Sequence, residues 1–280
     1  MKKRLPAIAL LTVFYVSLHA QTILGLDVSH YQGTITWSQV KSPGGKTFAW
    51  AKATEGVSYT DPNYVTNATN GTAGGVVMGA YHFARPESNT AAAEAAYFVS
   101  VAGPYIGAGH LPPALDLEDP PGGTALTSYF TSAALTTWVQ TWMTAVQNAT
   151  GVKPVIYISG SVASYLNSSL NTYGLWIADP DGSATAQPAN IGVWSTWMFK
   201  QYSWTGTVSG VSGTGNNDLD VFNGTTTAFN NLIGTVIAVS PAFTASTTTV
   251  CEGSSVTFTD HSTSTGTITA HSWTFSGGTP

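Results

Sequence analysis

Short apolar runs of β-branched and aromatic residues recur along the chain, and each ends in polar or charged positions. They are "ILGLDVSHYQ" (23–32), "TFAWAKATEG" (47–56), "VVMGAYHFARP" (76–86), "LPPALDLEDP" (111–120), "KPVIYISG" (153–160), "LWIADP" (175–180), "MFKQYSW" (198–204) and "DLDVFNG" (218–224). Runs of this length and composition read as strands. Helical stretches lie between the early ones. "DPNYVTNATNGTAGG" opens with Asp-Pro and closes on glycines, and "NTAAAEAAYFVSVAG" ends on Gly103. "LTSYFTSAALTTWVQTWMTAVQNATG" predicts one long helix ending at Gly151. Its Trp138, Trp142 and Val146 recur at i, i+4 and i+8, a core stripe in preference to an aromatic sugar platform. Strands alternating with helices argue for parallel β structure, and about eight strands suggest a closed barrel. The predicted fold is α/β: an irregular eight-stranded β/α (TIM-like) barrel over 21–236. After Gly160 the helical signal weakens, so some helices should be missing in the second half.

The texture changes at both ends. "MKKRLPAIALLTVFYVSLHA" has a basic start, a short apolar stretch and a small residue at Ala20, and so reads as a signal peptide over 1–20. The apolar stretch is too short for a membrane span. The expected localisation is therefore secreted, with no membrane attachment after cleavage. From Ile237 the chain is Ser/Thr-rich with alternating patterns such as "SVTFTD", which reads as the start of a C-terminal β-sandwich over 237–280. "FTAS", "GSSVTFTD" and "WTFSGGTP" resemble a PKD-type Ig-like domain. A full domain of that kind has roughly twice these strands, so a partial domain is expected. The single Cys251 excludes an internal disulfide and a multi-cysteine zinc site.

Of 280 residues, 43% are hydrophobic and 8% charged, with a formal net charge of −5. Removing residues 1–20 removes three cations and no acids, leaving about −8. No basic footprint for nucleic acid exists. Against this sparse charge, "PPALDLEDPP" gathers Asp116, Glu118 and Asp119 between two proline pairs. On a strand, Asp116 and Glu118 share a face while Leu115 and Leu117 pack behind. Paired carboxylates at a barrel strand's C-terminal end suit glycoside hydrolysis, with one donating a proton and the other stabilising or attacking the sugar. A metal site or a helix cap are the alternatives. Asp27 and Asp218 also end strands, so a barrel would bring four of the chain's 14 acids to one rim.

"GLDVSHYQG", "AKATEG", "GAYHFARP", "LPPALDLED" and "KQYSW…DLDVFNG", in this order over about 23–234, resemble glycoside hydrolase family 25, the lysozymes or N-acetylmuramidases. The resemblance implies cleavage of peptidoglycan between N-acetylmuramic acid and N-acetylglucosamine. It implies Glu118 as general acid and Asp116 as the group that stabilises charge or orients the substrate N-acetyl group. Asp27 and Asp218 match two further acids of the family, and Asp220 stands where asparagine is common. Tyr81 matches a cleft tyrosine.

Tyr157 and Trp204, near strand ends, join Tyr81 and His82 as expected substrate contacts. His82 has the opposite parity to Tyr81, so a structural hydrogen-bonding role competes with sugar contact. Glu55 reads as a fifth rim acid or a strand-end turn. Stacking on a sugar competes with burial for Trp176. No phosphate loop, G-x-S-x-G or H-E-x-x-H occurs. The expectations are no cofactor, no metal, a peptidoglycan glycan strand as partner, and a monomer. A glycan-binding module that does not cut is the alternative. A chitinase fits less well, because D-x-x-D-x-D-x-E is absent.

Overall fold

The structure, a computed structural model, describes residues 22–212, 216–234, 239–240, 242–247, 249 and 255–264. The expected signal peptide, Cys251 and most of the expected sandwich lie outside the described residues.

In chain order the elements are β1 (Ile23–Val28), α1 (Trp37–Lys41), β2 (Phe48–Glu55), β3 (Tyr59–Thr60), α2 (Tyr64–Ala73), β4 (Val77–Phe83), α3 (Ala91–Ala102), β5 (Ala114–Asp116), α4 (Leu126–Tyr129), α5 (Ser132–Thr150), β6 (Val155–Ser159), α6 (Gly160–Tyr165), β7 (Gly174–Ala178), β8 (Phe199–Gly206), β9 (Asn217–Phe222) and α7 (Thr226–Leu232). The sheet order β1-β9-β8-β7-β6-β5-β4-β2 closes through β1–β2 pairing into an eight-stranded barrel, with β3 as a short outer hairpin strand on β2. Among the described residues the second half is sparse in helices, with short α6, α7 and one 3-10 turn after Gly160.

Two expectations are corrected. The barrel is not wholly parallel, because β9 runs antiparallel to both β1 and β8. Asp218 therefore begins its strand, and it still reaches the same rim because the strand is reversed. The long helix predicted over 126–151 is two helices. Phe130 is extended, and the Thr131 side chain accepts from the Ala134 N–H to cap α5 afresh.

Strand alternation divides the core in two. Inward positions of the barrel hold Phe48, Trp50, Tyr157, Trp176, Phe199 and Phe222, with Phe229 of α7 packed against them. Outward positions such as Leu115, Leu117, Ile156 and Ile158 pack with helix residues including Phe98, Trp142 and Val146. Trp50 and Trp176 stack across the interior at 4.2 Å. This works because Gly79 has no side chain: a Cβ there would stand 2.6 Å from Trp50. Burying such aromatic surface stabilises each position by about 1.5–3 kcal/mol.

Among the described residues of 237–280, Val239–Ser240 pairs with Thr263–Ser264 and Phe243–Ala245 with Phe258–Asp260, both antiparallel.

Candidate active site

The cavity at the C-terminal end of the barrel strands follows from inward parity. On β5, Ala114 and Asp116 face in, and Glu118 continues that face beyond the strand. On β1 the inward series ends at Asp27. On β9, Asp218 and Asp220 are both inward, opposite Asp27 and Gly25 in the register. Asp27, Asp116, Glu118 and Asp218 line one cavity of about 220 Å³, together with Tyr81, Tyr157, Trp176, Gln201 and Lys52. Asp220 is fully buried beneath it.

Gln201 ties the floor together. Its Oε1 accepts from the Tyr157 hydroxyl and from Trp204 Nε1, each at 2.7 Å, and its Nε2 donates to Asp27 Oδ2 at 2.7 Å. The indole N–H can only donate, so the amide orientation is fixed and Asp27 receives a donor. Trp176 Nε1 donates to Asp220 Oδ1 at 2.8 Å.

Burial dominates the electrostatics. It pushes Asp27 and Asp116 well above the usual carboxylate range, with Asp220 adding to the rise at Asp27 and Glu118 to that at Asp116. Burial raises Glu118 as well, and the neighbouring Tyr157 hydroxyl and Lys52 offset part of it. Asp218 rises to about 8 through burial and the Asp27 charge. Asp116 and Glu118 share one face, so the charge of Glu118 bears directly on Asp116. Among the described residues Lys52 is the one cation lining the cavity. A bulge in β2 between Lys52 and Thr54 turns Lys52 and Glu55 to the same side, and they pair at 2.7 Å.

The four acids named from the sequence, with Tyr81 and Tyr157, come together here. Trp204 does not line the cavity. It is 54% exposed at the edge and is joined to it through Gln201. His82 is a correction: it is fully buried on the outer face of β4, away from the cavity. Its Nδ1 meets Thr54 Oγ1 at 2.7 Å, its Nε2 meets Glu94 Oε2 at 2.8 Å, and its ring stacks on Trp142. Both ring nitrogens are engaged, so it has none left for a sugar. Glu55 is ion-paired to Lys52 and Arg85 and does not line the cavity. Sequence reasoning missed Gln201, Lys52, Phe83 and Tyr31. Inward parity with Phe199 could have found Gln201. Nothing in the pattern marks Tyr31, which is 80% exposed on a 3-10 turn after β1.

Among the described residues, no group of three or more His, Cys, Asp or Glu side chains is arranged to hold a metal ion. No helix among them is long and apolar enough to cross a membrane. The site can hold a proton between close carboxyls, present a second carboxylate beside it, and offer aromatic faces to a sugar.

Comparison with known proteins gives a consistent pattern. The family profile described as "Glycosyl hydrolases family 25" matches residues 26–211. The chain is 39% identical over 207 residues to Lysozyme M1 of Streptomyces globisporus, covering 72% of this chain and 68% of that one. It is 33% identical over 171 residues to an N,O-diacetylmuramidase of Chalaropsis sp, covering 58% and 80%. The crystal structure of the bacterial lysozyme from Streptomyces coelicolor superposes with a TM-score of 0.68 at 35% identity, covering 76% of this chain and 97% of that one.

Proposed function

This chain belongs to glycosyl hydrolases family 25 and is a glycoside hydrolase, and from that premise we propose a peptidoglycan muramidase in which Glu118 is the general acid. The bond cut is the β-1,4 link between N-acetylmuramic acid and N-acetylglucosamine. The observation that carries this reading is the convergence of Asp27, Asp116, Glu118 and Asp218 from β1, β5 and β9 on one sugar-sized cavity.

Glu118 is less buried than Asp116, and burial raises both carboxyls, which favours keeping a proton on the pair. Glu118 delivers that proton to the leaving oxygen. Asp116, deeper and beside Lys52, carries the remaining negative charge and faces the sugar carbon as it becomes cationic. Asp116 also orients the substrate's 2-acetamido group, whose oxygen closes on the anomeric carbon in a retaining, substrate-assisted route. Tyr81 and Tyr157 wall the sugar, and exposed Tyr31 and Trp204 offer stacking faces at the edges. The enzyme is exported, with residues 1–20 as its leader, and acts as a monomer. Residues 237–280 belong to a PKD-type domain.

Mass spectrometry of borohydride-reduced peptidoglycan digests tests the bond. The expected products carry reduced muramic acid at every new end. Reduced glucosamine ends, or intact glycan that stays bound, would contradict the reading.

A further inference from the structure

We propose that Asp220 is a positioning residue for this reaction, sharing a single proton with Asp27 beneath the cavity.

One buried carboxylate oxygen beneath the cavity stands unsatisfied. Asp220 is fully buried, and Trp176 serves its Oδ1 at 2.8 Å, but its Oδ2 has no hydrogen-bond partner. Its neighbour within hydrogen-bonding reach is the carboxyl of Asp27, itself 8% exposed. Two carboxylates in contact away from water repel and leave that oxygen bare. One proton between them removes both costs. Gln201 fixes the arrangement from the other side, because its amide donates to Asp27 Oδ2. Asp27 is thus held between an amide donor and a shared proton. The proton also keeps one negative charge out of a cavity already holding Asp116, Glu118 and Asp218.

The surroundings set when the proton leaves. Asp218 on β9 and Glu118 just after β5 face the pair and disfavour its second ionisation. Asp116 on β5 faces Asp27, while Lys46 before β2 opposes these charges from the Asp220 side. Tyr81, Tyr157 and Tyr202 contribute phenols that burial keeps neutral. Asp220 titrates at about 8. Burial raises Asp27 as well, and once alkaline pH strips the shared proton the pair becomes a dianion, Asp27 is pushed off its place, and turnover falls.

Two titrations separate this from a merely structural Asp220. Folded wild type, Asp220→Asn and Asp27→Asn are titrated potentiometrically from pH 6 to pH 10, with circular dichroism confirming the fold. A shared proton predicts that wild type releases about one more proton than either variant. If Asp220 holds its proton alone, Asp27→Asn releases as many as wild type, and that result overturns the proposal. Equal release by all three proteins overturns it too. This count needs no substrate and stands apart from the muramidase reading. The second measurement rests on that reading: the pH profile of cell-wall lysis. Asparagine at 220 accepts from Trp176 and donates permanently to Asp27. The alkaline limb of Asp220→Asn therefore moves up by about one pH unit or more. An unmoved limb with a folded variant contradicts the positioning role.

Discussion

Asp218 illustrates what one buried carboxyl does to the whole chain. Its folded-state value of about 8 lies far above the ordinary 3.8. A raised acid holds its proton in the native state after the unfolded chain has released it. Between about pH 4 and pH 8 the unfolded chain thus binds fewer protons, and stability falls as pH rises. Below pH 4 both states are protonated and the effect vanishes. Asp218→Asn removes the titration while keeping the shape. Thermal unfolding at pH 8 is expected to show the variant more stable, by on the order of 1–3 kcal/mol, with the gap closing at pH 4. A variant less stable than wild type at pH 8 would mean that the burial cost is absent. At this scale the acids were legible because charge is so rare in this chain. Gln201 was missed: parity with Phe199 points it inward, but its role shows only when the barrel brings Tyr157, Trp204 and Asp27 around it.

The site is aimed by elements that never touch it. Behind β4, the buried Glu94 of α3 accepts from the Arg85 N–H and from Asn89 Nδ2 and meets His82 Nε2. His82 in turn reaches Thr54, just past the β2 bulge. That chain of contacts holds the bulge just after Lys52, which brings Glu55 round to pair with it. Glu94→Ala leaves several buried donors unpaired and is expected to cost about 3 kcal/mol in urea unfolding. A loss below about 1 kcal/mol would contradict the role given to the cluster. Strand parity made much of this readable in advance. Alternation placed Asp116 with Glu118 and set His82 apart from Tyr81. The bulge could not be read, because one extra residue in "WAKATE" leaves no mark in the hydrophobic pattern. Nor could the break at Phe130, where an apolar residue continues the helical texture and only the Thr131 cap divides it. The direction of β9 was equally hidden. Alternating residues look the same read either way, and among the described residues between β8 and β9 there is no helix to return the chain.

At the scale of the molecule, pairing of β9 with β1 converts residues nearly 200 positions apart into neighbours. Asp27 and Asp218 face each other across adjacent strands, and β5 supplies the remaining pair from the far wall. The ordered motifs made this architecture legible before any coordinates. The depth of each acid came only with the structure: Asp218 lines the cavity while Asp220, on the same face, lies under it. The account depends most on Glu118 being the group that gives up a proton at the mouth of this cavity. The direct measurement is kcat/KM for peptidoglycan lysis by Glu118→Gln beside wild type, with thermal unfolding recorded for both. Glutamine keeps the shape and removes the acid, so a loss of about 10²–10⁴-fold at unchanged folding is predicted. A folded variant retaining wild-type turnover would contradict the assignment.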